Sequence, residues 1–387
     1  MLRVLFLITD LGKGGAERFL IDLCSAFRGR SDVDFLIGTL YDDNRYSDLT
    51  TDLPIVPLHY RPFSFTKRHD YPEYRRVLED FRPHVVHTHR YLAEFLSAQH
   101  VSDRITYVCH GHDNMVQFGR LAPSHLYKRE AVANRLEKSY LIRKKYRRAR
   151  TFFVANSSHT LGYFRSVLPR FMREDVHLLP CGFDYGRFHA EELRVPRVGE
   201  RLRIVNVGSF QEKKNQIFIV RIAEELRRSG VDFHVDLLGD GALRAGVQAE
   251  VERHGLQDRV FLHGNVDRVE EWLRRSHIYV HTAWYEPFGL VLLEAMAAGL
   301  PCVALDGKGN RDLLQQGRTG FLIERQDPAE FAARIQQLAA SPAAFETVAR
   351  QAQAFAAEFD IGRVADRFVA FYRERRGEGK GGGEPPP

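Results

Sequence analysis

Glu286 and Glu294 stand eight residues apart, on either side of an expected helix start. The apolar run at 278–281 reads as a short buried strand. Residues 290–298 are rich in helix formers and stop at Gly299-Leu300-Pro301, a helix-ending combination. The spacing therefore predicts Glu286 on a strand-to-helix loop and Glu294 on the second turn of the helix. Between them lie the unpaired N–H groups of a helix N-terminus, which attract a phosphate. Two hydrogen-bond acceptors flanking an anion site suit a ligand with hydroxyls on both sides of a phosphate. A nucleotide-sugar has that layout.

Other motifs sit at strand ends. Asp10-Leu11-Gly12-Lys13-Gly14-Gly15 follows the first expected strand and opens a helix, but lacks the Gly-Lys-Ser/Thr ending of a P-loop. Val207-Gly208-Ser209, with Lys213 and Lys214 just beyond, repeats the arrangement in the second half. There a glycine turn admits a diphosphate and an ammonium neutralises it. Gly239-Asp240-Gly241 and Gly264-Asn265-Val266 continue the series, so the glycine turns read as one binding rim. His87, His89, His110 and His112 lie at corresponding ends in the first half. His-x-His is a zinc-ligand spacing, but no third ligand follows at a metal-binding interval, and a structural role is the expectation for most of them. Asp32-Val33-Asp34 precedes a strand, the wrong end for an active site, and reads as a solvated loop.

The elements that must hold these loops alternate along the whole chain. Strands are expected at 4–9, 34–38, 85–88, 106–109, 152–155 and 176–179, then at 203–207, 233–238, 260–263, 278–281, 302–304 and 320–323, with helical patterns between them. That alternation predicts α/β architecture with a doubly wound parallel sheet in each half. Such sheets bind ligands at the carboxyl ends of their strands. The polar stretch 191–201 marks the boundary, giving domains at 1–192 and 193–360. A closing helix at 361–376 is expected to pack back on the first domain, before a disordered Gly/Pro-rich tail at 377–387.

Composition excludes several classes. With 387 residues, a hydrophobic fraction of 44% and a charged fraction of 27%, the chain suits a two-domain globular enzyme. No apolar run approaches the roughly 20 residues that span a bilayer. Cys24, Cys109, Cys181 and Cys302 are scattered singly, as reduced core thiols would be in a cytoplasmic protein. The segment 128–150, opening at Lys128 and closing at Arg150, carries ten Lys/Arg against two Glu and contains Tyr140 and Tyr146. It reads as a charged surface helix or as a basic face for anionic membrane lipid, which allows a peripheral location on the inner face of the cell membrane. No nucleic-acid motif accompanies it, and no nucleic-acid partner is expected.

Together these motifs resemble glycosyltransferase family 4, retaining enzymes of the GT-B fold with two Rossmann-like domains facing a cleft. The resemblance is carried by Tyr285-Glu286-Pro287-Phe288-Gly289, Glu294-Ala295-Met296-Ala297-Ala298-Gly299-Leu300-Pro301 and Gly317-Arg318-Thr319-Gly320-Phe321. Gly14-Gly15-Ala16-Glu17 and Pro180-Cys181-Gly182-Phe183-Asp184 support it. It implies transfer of a hexosyl group from a nucleotide-diphosphate sugar, with UDP the expected nucleotide, to a hydroxyl of a glycan or lipid-linked acceptor. Under it Glu294 holds the donor ribose, and Glu286 faces the sugar beside Phe288, Gly289 and Leu290. Lys214 and Ser209 meet the diphosphate; Gly264, Asn265 and Val266 meet the base. Gly14 and Gly15 approach the phosphate from the first domain, and His110 lies near the sugar as a catalytic group. No metal and no cofactor is expected, since front-face attack with the leaving phosphate as base needs neither. Two departures stand out: Ser209 where many relatives have arginine, and Gly307-Lys308-Gly309-Asn310-Arg311-Asp312 where paired glycines and a glutamate are common. The competing readings are a non-catalytic sugar-nucleotide-binding subunit and a sugar-nucleotide epimerase.

Overall fold

The computed structural model describes residues 1–60, 71–119, 129–197 and 199–377. Lys128 and the expected disordered tail, Gly377 apart, lie outside the described residues. The chain divides into two compact units, Met1–Gly182 with Ile361–Pro387, and Phe183–Asp360. The division thus falls before the polar stretch at 191–201, because the residues leading into it are held by the second unit. Phe183 N–H donates to Phe359 O, Ala190 N–H to Ala297 O, and Gln353 Nε2 to Ala190 O.

The first unit holds a seven-stranded parallel sheet: β1 Leu2–Ile8, β2 Val33–Thr39, β3 Ile55–Pro57, β4 Val85–His89, β5 Thr106–Gly111, β6 Thr151–Ala155 and β7 Val176–Leu178. Its order is β3-β2-β1-β4-β5-β6-β7. The second unit holds six parallel strands: β8 Leu202–Val207, β9 Phe233–Leu238, β10 Val260–Gly264, β11 Ile278–His281, β12 Cys302–Leu305 and β13 Gly320–Ile323, ordered β10-β9-β8-β11-β12-β13. Both sheets are doubly wound, as the alternation predicts. Strand β3 escapes sequence reading because it is a three-residue edge strand ending in proline.

Each order reverses direction once, between β1 and β4 in the first sheet and between β8 and β11 in the second. At such a switch point the loops on either side diverge and leave a crevice for a ligand. The Glu286 loop follows β11 and the Lys214 loop follows β8, so the second sheet's crevice falls between the two motifs.

The closing helix, Ile361–Gly377, lies in the first unit, where Phe368 packs 5.9 Å from Phe19 of the helix Gly15–Phe27. Asp32 accepts from Arg30 (2.9 Å) and from Arg373 of that helix (2.8 Å), so it braces the fold.

The basic segment is less uniformly a surface than its composition suggests. Lys138 donates to Phe118 O and Val167 O, each at 2.7 Å. Lys145, on a π-helical turn at Ile142–Tyr146, is fully buried. Its ammonium donates to both Glu94 oxygens (2.7 Å) and to Ser97 Oγ (2.6 Å), while Thr88 Oγ1 donates to Glu94 Oε2 (2.6 Å). Arg135, Arg143, Lys144, Arg147 and Arg148 remain exposed. Among the described residues no helix is long and apolar enough to cross a membrane.

A buried pair missing one partner leaves an uncompensated charge in the core. Lys145→Met should therefore destabilise the protein by about 3–5 kcal/mol in urea denaturation, and adding Glu94→Gln should recover much of that loss.

Candidate functional site

Lys214 and Glu286 meet at the switch point of the second sheet. Lys214 closes the single turn Glu212–Lys214, after which Asn215 takes a left-handed conformation (φ +54°) and turns the chain into the next helix. This turn is anchored by the segment after β11. Trp284 Nε1 donates to Glu212 O (3.1 Å), Trp284 N–H to Lys213 O (3.1 Å) and Thr282 Oγ1 to Lys214 O (3.0 Å). Three successive carbonyls are thereby pinned, and the lysine stem is aimed rather than left to sample solvent.

Glu286 is held from its backbone. Its N–H donates to Gly307 O (2.7 Å), and its carbonyl accepts from Gly309 N–H (3.0 Å). A Cβ on Gly309 would lie 1.8 Å from Pro287 O, so any larger residue would push the two loops apart. That contact explains the unusual 307–312 sequence: its glycines press against the Glu286 loop, and Asn310 bridges Gly307 N–H (2.8 Å) to Leu305 O (2.9 Å). Arg311 pairs with Asp306, with Nε at 2.7 Å from Oδ1, and is committed there.

The side-chain chemistry follows from this backbone frame. Lys214 Nζ donates to Glu286 Oε2 at 2.6 Å, and Glu286 is 8% exposed. His281, the last residue of β11, brings Nε2 to 3.3 Å from the same oxygen, off the hydrogen-bonding direction. Burial pushes the Glu286 carboxyl up, but the Lys214 charge and the His281 contacts outweigh it and hold the group well below the usual carboxylate range. Burial pushes His281 down, only partly offset by Glu286. At neutral pH the centre is thus carboxylate, ammonium and neutral imidazole. A carboxyl held so low is an acceptor and not a general acid.

Beyond Glu286, Gly289 caps the helix Leu290–Ala297, whose half-buried Glu294 lies on the second turn. Phe288 is buried and Leu290 half-buried. The structure thus brings Glu286 and Lys214 together and sets the Glu294 helix directly after them. Ser209 is exposed on the loop after β8, with its carbonyl accepting from Gln216 Nε2 (3.0 Å). Asn265 is exposed and Val266 half-buried after β10. The glycine turns have a second explanation. A Cβ on Gly239 would lie 2.2 Å from Gly208 O, and Gly239 N–H donates to Gly264 O (2.7 Å), so these turns are glycine-bearing partly because they pack on one another.

The remaining expected residues lie in the first unit. Gly14 caps the helix Gly15–Phe27, but Glu17 folds back over it: a Cβ on Gly14 would lie 2.3 Å from Glu17 Oε2. Glu17 is buried and accepts from Arg90 Nη1 (2.7 Å). His110 is fully buried, 4.1 Å ring to ring from His112, which is the half-exposed member of that pair. His281 was missed by sequence reasoning, although its place at the last position of the strand before Glu286 was a usable signal. The Arg90–Glu17 pair joins residues 73 apart and left no such signal.

The comparisons with known proteins agree over most of the chain. A family model described as "Glycosyl transferases group 1" matches residues 191–355, and one described as "Glycosyltransferase Family 4" matches 13–187. EpsF of Bacillus subtilis, a glycosyltransferase by name, is 27% identical over 321 residues, 79% of each chain. The D-inositol 3-phosphate glycosyltransferase of Paenarthrobacter aurescens is 32% identical over 181 residues, 45% of this chain and 44% of its own. Among solved structures, Anabaena HepE in complex with UDP-glucose superposes with a TM-score of 0.75 at 21% identity, covering 97% of this chain and all of HepE.

The pH dependence follows from the two shifts. Glu286 is depressed on folding, so its stabilising contribution is present above the ordinary carboxylate pKa near 4.5 and is lost as pH falls towards the folded value. His281 is likewise depressed, so protonation below about 6.5 favours the unfolded chain. Lys214→Met removes the main counter-charge and should cost roughly 1–3 kcal/mol at pH 7, a penalty that shrinks as Glu286 protonates. Urea melts of both proteins between pH 3 and 8 read this directly; a difference independent of pH would contradict the assignment.

Proposed function

The chain belongs to glycosyltransferase family 4 and has the GT-B fold, and from that premise we propose that it transfers a hexosyl group from a nucleotide-diphosphate sugar to an acceptor hydroxyl with retention of configuration. The observation that carries this reading is the Lys214–Glu286 pair at the switch point of the second sheet, immediately before the helix bearing Glu294. UDP is the proposed nucleotide. The UDP and UDP-glucose held by the structural neighbour HepE support that choice.

In this reading the donor diphosphate lies at the start of the helix Leu290–Ala297, whose first N–H groups have no helical partner. Lys214 has three ammonium donors, so it can keep its bond to Glu286 and still reach phosphate oxygens. Glu294 accepts from the ribose hydroxyls. Glu286, kept ionised, accepts from a sugar hydroxyl and positions the anomeric carbon. Ser209 adds a hydroxyl donor, and Gly264, Asn265 and Val266 border the base.

As the glycosyl–phosphate bond breaks, positive charge grows on the sugar and negative charge on the diphosphate. Lys214 and the helix N–H groups stabilise the leaving group, and Glu286 lies on the side of the cationic sugar. The acceptor hydroxyl attacks from the face the diphosphate leaves, and the departing phosphate takes its proton. No residue in this scheme requires a metal or a cofactor. The acceptor is proposed to be a glycan or lipid-linked hydroxyl. Exposed Arg135, Arg143, Lys144, Arg147 and Arg148 support peripheral contact with anionic lipid. Vesicles containing phosphatidylglycerol should sediment the protein at low salt and release it at high salt, and charge reversal at Arg143 and Lys144 should abolish sedimentation.

A panel of nucleotide-sugars should raise the melting temperature for the true donor. Glu294→Ala should weaken that donor by roughly 10–100-fold, corresponding to one or two lost hydroxyl contacts to a charged group. Glu286→Gln should lower kcat by about 10²-fold with a smaller effect on donor affinity. Normal turnover by both variants would remove the assignment. Donor binding without hydrolysis or transfer would favour a non-catalytic subunit, and isomerised donor an epimerase.

A further inference from the structure

Residues 41–53 connect β2 to β3 in the first unit and, with Leu11 and the last residue of β2, enclose a cavity of about 310 Å³. Ligand pockets run from about 300 to 1,000 Å³, so this one has room for a group the size of a single sugar ring. It has no part in the transfer chemistry described for the second unit.

The wall is built before any ligand arrives. Leu11 N–H donates to Asp43 O (2.8 Å) and Arg45 N–H to Leu11 O (2.9 Å), so the connection runs as a parallel bridge along the loop after β1. That loop continues into Gly12, Gly14 and Gly15. Asn44 Nδ2 donates to Thr50 Oγ1 (2.8 Å), and Asn44 Oδ1 accepts from Tyr46 N–H (2.9 Å). Thr50 Oγ1 donates in turn to Tyr46 O (3.0 Å), and Asp43 pairs with Arg45 at 2.9 Å. Two polar groups of the lining are left over. Thr39 is 5% exposed, and its hydroxyl meets no partner among the described residues. The Asp42 carboxylate likewise has no hydrogen bond or ion pair among the described residues. Tyr41, held by a T-shaped contact with Tyr60 at 6.2 Å, leaves aromatic surface exposed beside them.

We propose that this cavity binds an uncharged sugar residue of the acceptor. A carboxylate accepts from two hydroxyls at once, and the Thr39 hydroxyl both donates and accepts. Tyr41 with Leu11, Leu53 and Ile55 supplies apolar surface for the C–H faces of a sugar ring. Among the described residues no lysine or arginine lines the cavity. A phosphate or uronate would therefore meet Asp42 with nothing to neutralise it. A metal ion fits poorly, because a hard cation takes about six oxygens and one of the two carboxylates here already serves Arg45. The role as an acceptor site rests on the transferase reading, whereas the binding of a sugar does not.

The test uses the full-length chain with labelled Thr and Ile methyl groups, titrated with the methyl glycosides of glucose, galactose, mannose and N-acetylglucosamine. Titration runs to about 100 mM, since one ring with few hydrogen bonds binds in the millimolar range. At least one glycoside should shift the Thr39 and Ile55 signals saturably and leave Ile204 of the second unit unmoved. The 6-phosphate of the same sugar should bind at least about 10-fold more weakly. Asp42→Asn should weaken the glycoside roughly 10-fold, Thr39→Val should weaken it as well, and Asp48→Asn, a charge control outside the cavity, should not. In turnover with the true donor, Asp42→Asn should raise acceptor KM far more than donor KM. Absence of a saturable shift with all four glycosides overturns the proposal. So does equal affinity for the 6-phosphate, or a response of the same signals to calcium chloride alone. Glycoside binding by a chain that takes no nucleotide-sugar would confirm the cavity's ligand and overturn the transferase reading instead.

Discussion

The charge pair between Lys214 and Glu286 is the contact on which the second unit's chemistry depends. A carboxylate at 8% exposure is stable only because an ammonium sits 2.6 Å away and an imidazole adjoins the same oxygen. Everything nearby serves to keep those groups in register. Thr282 and Trp284 hold the lysine turn by its carbonyls, while Gly307 and Gly309 hold Glu286 by its backbone. Because β8 and β11 are neighbours at the sheet's reversal, two loops that are 72 residues apart in sequence supply one pair. The sheet order is thus a precondition of the site.

The first unit solves a different problem on a similar sheet. One face of its central strands carries Leu5, Leu7, Val86 and Tyr107 into an apolar core. The other carries His87, His89 and His110 under Phe19, Phe368 and Tyr372. Burial holds all three imidazoles well below their usual pKa, with neighbouring histidine charges acting in the same direction. Among the described residues each of these rings meets a polar partner through one nitrogen. The Lys145–Glu94 pair on the opposite side shows the alternative outcome, in which every donor and acceptor oxygen is met within the chain.

Much of this was legible before any fold was known. The apolar alternation located twelve of the thirteen strands among the described residues, and the short edge strand Ile55–Pro57 escaped because three residues ending in proline carry no periodicity. Glu286 and Glu294 were found as a spaced pair because a helix start has a local grammar of glycine, helix formers and a terminating Gly-Leu-Pro. Lys145 reads in sequence as one more surface charge in a basic run, yet it is completely buried. A π-helical turn changes which residues face inward, and no composition rule registers that.

By itself, then, the sequence determined the architecture, the donor-type motif and the positions of the charged groups at strand ends. These follow from local periodicity and from turn chemistry, which act over a few residues. Tertiary structure decided which of those groups meet. It joined Lys214 to Glu286 and added His281, folded Glu17 back onto its own helix cap, and buried His110 among other imidazoles. Contacts of this kind depend on strand order and on the side of the sheet each residue faces. They are set by long-range packing, and the pattern of nearby residues does not contain them.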